Sequence, residues 1–217
     1  MVGSRKIKRR WVTMGYCNGY DLFVFIGLPG CGKSTLGKLL ALKYRLDYFE
    51  TSSLIDKAIV EAKEKSQTIF GKIDYEAEKQ ERRKKRGENC ENEFVCKQVF
   101  EKLISYSNGT VISGFPRDEE QAEKFAEFII QIGARHRCLV ILPKVSEKLS
   151  LQRLVKKQKE VLGESFVSEL VEVQFHGIKE DFGRVVSVLS KNRIAILQIA
   201  PNKTIEESIS YLFSEIK

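Results

Sequence analysis

Leu22-Phe23-Val24-Phe25-Ile26-Gly27-Leu28-Pro29-Gly30-Cys31-Gly32-Lys33-Ser34 is the stretch whose reading decides the fold. A short apolar run ends in glycines, and Lys-Ser then opens the helix-period run Thr35-Leu36-Gly37-Lys38-Leu39-Leu40. Residues 27–34 fit G-x-x-x-x-G-K-[ST], between the strand and the helix that this pattern requires. There the glycines let backbone N–H groups turn inward around a phosphate, and the helix N-terminus adds partial positive charge. Lys33 reaches the outer phosphates, and the Ser34 hydroxyl is a ligand for Mg²⁺. A Gly-rich turn that merely connects strand to helix is the bland alternative, but Lys followed by Ser at this offset has no packing explanation. Cys31 lies in the loop itself, where a small filler side chain is the expected role and oxidation or alkylation of the thiol the other.

Outward from this loop, short β-branched or aromatic runs alternate with longer helical stretches, the pattern of parallel strands joined by crossover helices. Five strands are expected, Leu22–Ile26, Asp47–Glu50, Thr110–Ser113, Cys138–Leu142 and Ile194–Ile199, mostly continuous apolar runs as suits strands covered on both faces. Thr51 to Asn108 holds too much helix for one crossover (Ser53–Lys65, Tyr75–Arg86, Asn92–Ser107), so part of it should project as a subdomain. Further on, the periodicity predicts helices Ser146–Glu160, from beyond Gly163 to about Ser190, and Thr204–Ile216. The fold class is therefore α/β, a five-stranded parallel sheet with helices on both faces.

The 217 residues are 42% hydrophobic and 30% charged, enough for one sizeable core and unlike a disordered or collagen-like chain. No apolar run approaches the roughly 18 to 20 residues of a membrane-spanning helix, and the first ten residues are charged where a secretory signal is apolar. Five scattered cysteines without C-x-x-C spacing read as free thiols of a reducing compartment, hence a cytoplasmic protein with no membrane partner. The net charge of +8 owes five units to Arg5, Lys6, Lys8, Arg9 and Arg10, leaving the rest mildly basic. Residues 1–20 form a basic arm that is expected to be a solvated tail, with nucleic acid, anionic lipid or a targeting role as the alternatives. Arg82-Arg83-Lys84-Lys85-Arg86, bracketed by Glu76, Glu78, Glu81 and Glu88, reads as a solvated helix face. His136 and His176 lie too far apart in sequence to suggest a metal site.

A second motif follows the third strand: Gly114-Phe115-Pro116-Arg117-Asp118-Glu119-Glu120-Gln121. It delivers Arg117 to the carboxyl edge of the sheet, where ligands of open α/β sheets bind. The Arg117 fork suits phosphate, and the Gln121 amide suits a base edge. With the phosphate loop, this resembles the adenylate kinase branch of the nucleoside monophosphate kinases, whose hallmark is G-F-P-R-x-x-x-Q at this place. Thr51-Ser52-Ser53-Leu54-Ile55 stands where that family has a Ser-Thr-Gly-Asp-Leu-Leu-Arg segment, residues 87–95 resemble its G-x-L-V-P-D-E-L-V turn, and Arg153-Leu154 matches the start of its R-L-x-x-R, with Lys157 in the second place. The resemblance implies a kinase domain over 21–217, with a monophosphate-binding insertion near 51–108 and a short lid near 157–170.

It also implies ATP as donor, Mg²⁺ as cofactor and a nucleoside monophosphate as acceptor, AMP first because of Gln121. The expected ATP-contacting residues are Gly27, Pro29, Gly30, Cys31, Gly32, Lys33, Ser34 and Thr35. Those expected at the monophosphate are Thr51, Arg117 and Gln121, those acting on the transferring group Lys33, Arg117 and Arg153, and the metal ligand Ser34. The protein is expected to act as a monomer. Departures are equally specific. The family's Asp before G-F-P-R is Ser113 here, its first-subdomain arginine falls on Asp56 with Lys57 beside it, its lid arginines have no counterpart in Lys159–Ser168, and another arginine falls on Gln174. One arginine can be worth about three to five decades in phosphoryl transfer. A degenerate relative that binds ATP as a regulatory or assembly module therefore stands as an alternative, as does a kinase or ATPase for another small substrate or an RNA end. Glu50, at the end of the second strand, reads either as a carboxylate for the metal or an acceptor hydroxyl, or as an ordinary exposed strand terminus. Arg184 and Lys156 complete the candidate cations, Arg184 with a solvated helix face as its expected place.

Overall fold

The computed structural model describes residues 17–68, 75–86, 88–106, 109–163, 168–199 and 204–216. The basic cluster of the arm lies outside these residues, as do residues 164–167 of the expected lid. Five parallel strands, β1 (Leu22–Phe25), β2 (Asp47–Glu50), β3 (Thr110–Ser113), β4 (Cys138–Pro143) and β5 (Ala195–Ile199), form one sheet in the order β2-β3-β1-β4-β5. This is the α/β architecture expected from the sequence, a five-stranded parallel sheet covered by helices. Eight helices in the described residues complete it: α1 (Lys33–Tyr44), α2 (Thr51–Thr68), α3 (Tyr75–Lys85), α4 (Asn92–Ser105), α5 (Glu119–Gln131), α6 (Glu147–Leu162), α7 (Ser168–Lys191) and α8 (Ile205–Glu215).

Strand alternation sorts the core into two layers. Leu22 and Val24 of β1, with Ile112, Val140 and Leu142, face α2, α4, α5 and α7 through Ile55, Val99, Phe125 and Leu189. Phe23 and Phe25, with Val111, Leu139 and Ile141, face α1 and α8 through Leu36, Leu40 and Leu212. Burial on both faces explains why β1 and β4 read as unbroken apolar runs. The expected elements differ mainly at their ends, and α5 is a helix for which the sequence reading gave no bounds. β1 stops at Phe25 because Ile26 enters the loop, β5 starts at Ala195, and α2 begins at Thr51 directly after Glu50. The Thr51 hydroxyl, buried, donates to the Ser113 carbonyl at 3.3 Å, stapling the start of α2 to the end of β3.

The register sets the site. Glu50 pairs with Ser113, and Ser113 with Phe25, so three strand ends stand side by side at the carboxyl edge beneath the glycine loop.

Candidate functional site

The loop after β1 wraps the N-terminus of α1. Gly32 caps that helix at φ 95°, a conformation costly for any side chain, and Lys33 is the first helical residue. The Lys33 ammonium lies inside the loop and donates to the carbonyls of Gly27 and Leu28, both at 2.7 Å, with the Cys31 sulfur at 3.8 Å. Burial lowers its pKa from the ordinary lysine value, with nearby Arg117 acting in the same direction. Cys31 is buried beneath the loop, as a filler side chain would be; Thr35 is exposed.

Gly30 has a reason the sequence does not show. A Cβ there would lie 2.3 Å from the Ser150 carbonyl oxygen and 3.3 Å from the Arg153 Cβ, so the loop and α6 touch backbone to backbone. Ser150, fully buried, donates its hydroxyl to the Pro29 carbonyl at 2.6 Å. Arg153 is thereby held beside the loop, exposed at its rim. Lys156 and Lys157 are exposed further along α6, and Arg184 pairs with Asp181 on the surface of α7 at 3.6 Å.

On the other side of the cleft the Arg117 Nε donates to the Gly114 carbonyl at 3.0 Å, and the Phe115–Pro116 bond is cis. Arg117 lines two cavities. One, of about 300 Å³, is walled by Gly27, Pro29, Lys33 and Leu154 on one side and by the apolar Ile178, Phe182 and Val185 of α7 on the other. The second, of about 100 Å³, is lined by Thr51, Ser52, Lys84, Cys90, Asp118 and Gln121 among others. Gln121 is buried: its amide oxygen accepts from the Arg117 backbone N–H at 3.0 Å and its nitrogen donates to Asn92 at 2.7 Å. Asn92 in turn donates to Asp118 and Glu120 at 3.1 and 2.7 Å. Burial raises the Cys90 thiol above its ordinary value, leaving it neutral at pH 7.

Three expectations change here. Lys57, next to Asp56 in sequence and the expected substitute for the arginine at that position, lines a different cavity from Arg117, together with Lys38 and Tyr106. The cation at the Asp56 position is instead Lys84, which pairs with the Asp56 carboxylate across α2 and α3. Of the basic run read as a solvated face, Arg83 is half-buried and donates to the Asn89 carbonyl at 2.8 Å, while Arg82, Lys84, Lys85 and Arg86 are exposed. Glu50 is no ordinary strand terminus: its side chain is 26% exposed, accepts from the Tyr48 hydroxyl at 2.8 Å and pairs with Lys38 at 3.3 Å.

The family model that matches this chain, described as an AAA domain, covers residues 26–164, from the last apolar residue before the loop to beyond α6. The chain belongs to this family of P-loop domains and is adenylate kinase-like within it. Among curated proteins it is similar to the adenylate kinases of Rickettsia africae (strain ESF-5) and Rickettsia conorii (strain ATCC VR-613 / Malish 7), each 31% identical over 136 residues, 62% of this chain and 57% of the relative. The adenylate kinase of Dehalococcoides mccartyi (strain ATCC BAA-2266 / KCTC 15142 / 195) is 30% identical over 112 residues, 51% and 47% of the two chains. The chain thus spans about half the length of these relatives. Membership implies ATP and Mg²⁺ as the general ligands of such a domain. Ser34 fits such a cation by its chemistry, an oxygen donor at the first turn of α1 with the Ser113 hydroxyl 3.4 Å away. Among the described residues no helix is long and apolar enough to cross a membrane.

Proposed function

We propose that this adenylate kinase-like chain is a nucleoside monophosphate kinase, moving the γ-phosphate of ATP to a nucleoside monophosphate and yielding two diphosphates. The carrying observation is that Arg117 lines both the loop cavity, opposite Lys33, and the cavity between α2, α3 and α5. A guanidinium shared by two sites is placed to hold acceptor phosphate and transferring phosphoryl group together, and positioning with charge stabilisation is most of the catalysis such a transfer needs. The loop amides and Lys33 hold the donor phosphates, and Arg153 meets charge at the loop rim. Mg²⁺ bound at Ser34 supplies positive charge at the outer phosphates.

AMP is the first acceptor. An amide carries two N–H donors and two acceptor lone pairs, so the bonds to Arg117 and Asn92 leave Gln121 one of each for a base edge. The acceptor cavity, at about 100 Å³, is below the roughly 300 Å³ typical of ligand sites, so it has to widen to admit a nucleotide.

A second reading, an ATP-binding module without transfer, is favoured by the wall of the loop cavity, where α7 presents Ile178, Phe182 and Val185 and no cation. Incubation with ATP, Mg²⁺ and each common nucleoside monophosphate, following diphosphate formation, separates the two. The kinase turns over one monophosphate and loses that activity in Lys33→Ala and in Arg117→Ala. Stabilisation by ATP without turnover establishes the binding module instead.

A further inference from the structure

β3 ends in Ser113, so the sheet edge beneath Ser34 lacks the carboxylate that a phosphate-bound cation ordinarily finds nearby. The oxygen atoms around Ser34 show where one comes from. The Ser34 hydroxyl lies 3.4 Å from the Ser113 hydroxyl, and Ser113 is the register partner of Glu50 on β2. Tyr48 and Glu50 are two residues apart on β2 and so share the face toward α1. The Tyr48 ring packs against α1 so closely that a Cβ on Gly37 would sit 3.1 Å from it. The phenol, kept protonated by burial and by its carboxylate neighbour, donates to Glu50 Oε1 at 2.8 Å. β2 is one strand further from β1 than β3, about 4.8 Å, and glutamate has the longer side chain.

We propose that Glu50 is the carboxylate of a divalent-cation site shared with Ser34 and Ser113, supplying from β2 the acid that β3 lacks. The proposal rests on the kinase reading only in taking ATP as the phosphate ligand. The donor set is all oxygen, as Mg²⁺ prefers, and one carboxylate with phosphates and water is its usual coordination. No cluster of three or more His, Cys, Asp or Glu occurs among the described residues, so the cation depends on the nucleotide for its remaining ligands. Lys38, one helical turn after Ser34, pairs with Glu50 from a side chain 62% exposed. An exposed pair of this kind is weak and yields to a divalent ion.

The test is the affinity for ATP by calorimetry, with Mg²⁺ and with chelator, for wild type, Glu50→Gln, and Glu50→Gln with Ser113→Asp. Wild type is expected to prefer the Mg²⁺ complex. Glu50→Gln, which keeps a partner for Tyr48, should lose about tenfold or more of that preference while its affinity for metal-free ATP is retained. Returning the carboxylate to β3 with Ser113→Asp should restore it. An unchanged Mg²⁺ preference in Glu50→Gln, or wild-type binding that ignores Mg²⁺, overturns the cation site and leaves the nucleotide reading standing. No ATP binding in either condition overturns both. Loss of metal-free affinity in Glu50→Gln, unrestored by Ser113→Asp, assigns Glu50 to loop architecture and also overturns the proposal.

Discussion

At residue scale the loop is constrained from outside as much as from within. Gly30, at φ 83°, is a position where two costs coincide: a left-handed backbone and a backbone oxygen 2.3 Å from any added Cβ. Gly30→Ala should therefore push α6 off the loop and abolish the stabilisation by ATP, which a melting curve with and without the nucleotide reads directly. An equal ATP shift in the variant would show that the contact with Ser150 is dispensable. Asp56 gives an expectation of opposite sign. Its pairing with Lys84 neutralises a cation at the edge of the acceptor cavity. Asp56→Asn frees that cation, and the KM for the acceptor monophosphate should fall several-fold with kcat little changed. A raised KM would instead make Asp56 part of the acceptor site. The glycine loop, Lys33, Ser34 and Arg117 were legible in the sequence because each has a spacing that chemistry dictates. Ser150, Lys84 and Asn92 were not, since their partners lie on other elements. The shared face of Tyr48 and Glu50 was readable in principle from their two-residue spacing.

At the scale of elements, β1 and β4 were legible because burial on both faces leaves unbroken apolar runs, whereas helix ends shifted by one to three residues, some of them at side-chain staples, and α5 had no bounds in the sequence reading. Thr51 is such a staple at α2, and Ser150 ties α6 to the loop. Ser150→Ala removes one buried hydrogen bond, worth about 1 kcal/mol net, and frees Arg153 from the loop rim. The expected result is a small loss of stability with a larger loss in turnover, separable by measuring both on one preparation. α3 depends on surface charge more than on core, and pairs of the same kind hold the starts of α4 and α5. Lys63 and Lys85 hold the Glu81 carboxyl below its usual range, Lys79 with Gln80 does so for Glu91, and Lys124 with Asn92 for Glu120. A carboxyl whose pKa is depressed by folding stabilises above its unfolded pKa, about 4.3 for glutamate, and that contribution fades as pH falls through the folded value. Between about pH 5 and 3 the urea midpoint of wild type should therefore fall more steeply than that of a Glu81→Gln, Glu91→Gln, Glu120→Gln variant. Parallel curves would mean that these pairs contribute nothing, as many exposed pairs do.

Over the whole molecule the two layers of core differ from α3 in what holds them. The sheet carries Phe23, Val24, Phe25, Ile112 and Val140 without exposed surface, while α3 has only Ala77 and Gln80 buried. Gln80 is anchored by polar bonds to Glu76 and Glu91 rather than by packing. Local opening follows such differences, so α3 amides should exchange with solvent far faster than those of β1, β3 and β4. The two ligands of the proposed reaction then leave separate signatures. ATP with Mg²⁺ is expected at the loop between β1 and α1. At a hundredfold excess over Kd it adds about 2.7 kcal/mol, a shift of roughly 5 to 10 °C in melting temperature for a chain of this size. The acceptor reaches the cavity that Lys84 lines, so it should slow exchange in α3 while leaving β1 unchanged. Hydrogen exchange followed by mass spectrometry with each nucleotide alone distinguishes the cases. Protection of α3 by a monophosphate and of residues 27–36 by ATP fits two sites joined at Arg117. Protection of the loop by ATP with no monophosphate acting on α3 leaves one nucleotide site, and the insertion then serves a partner other than a nucleoside monophosphate.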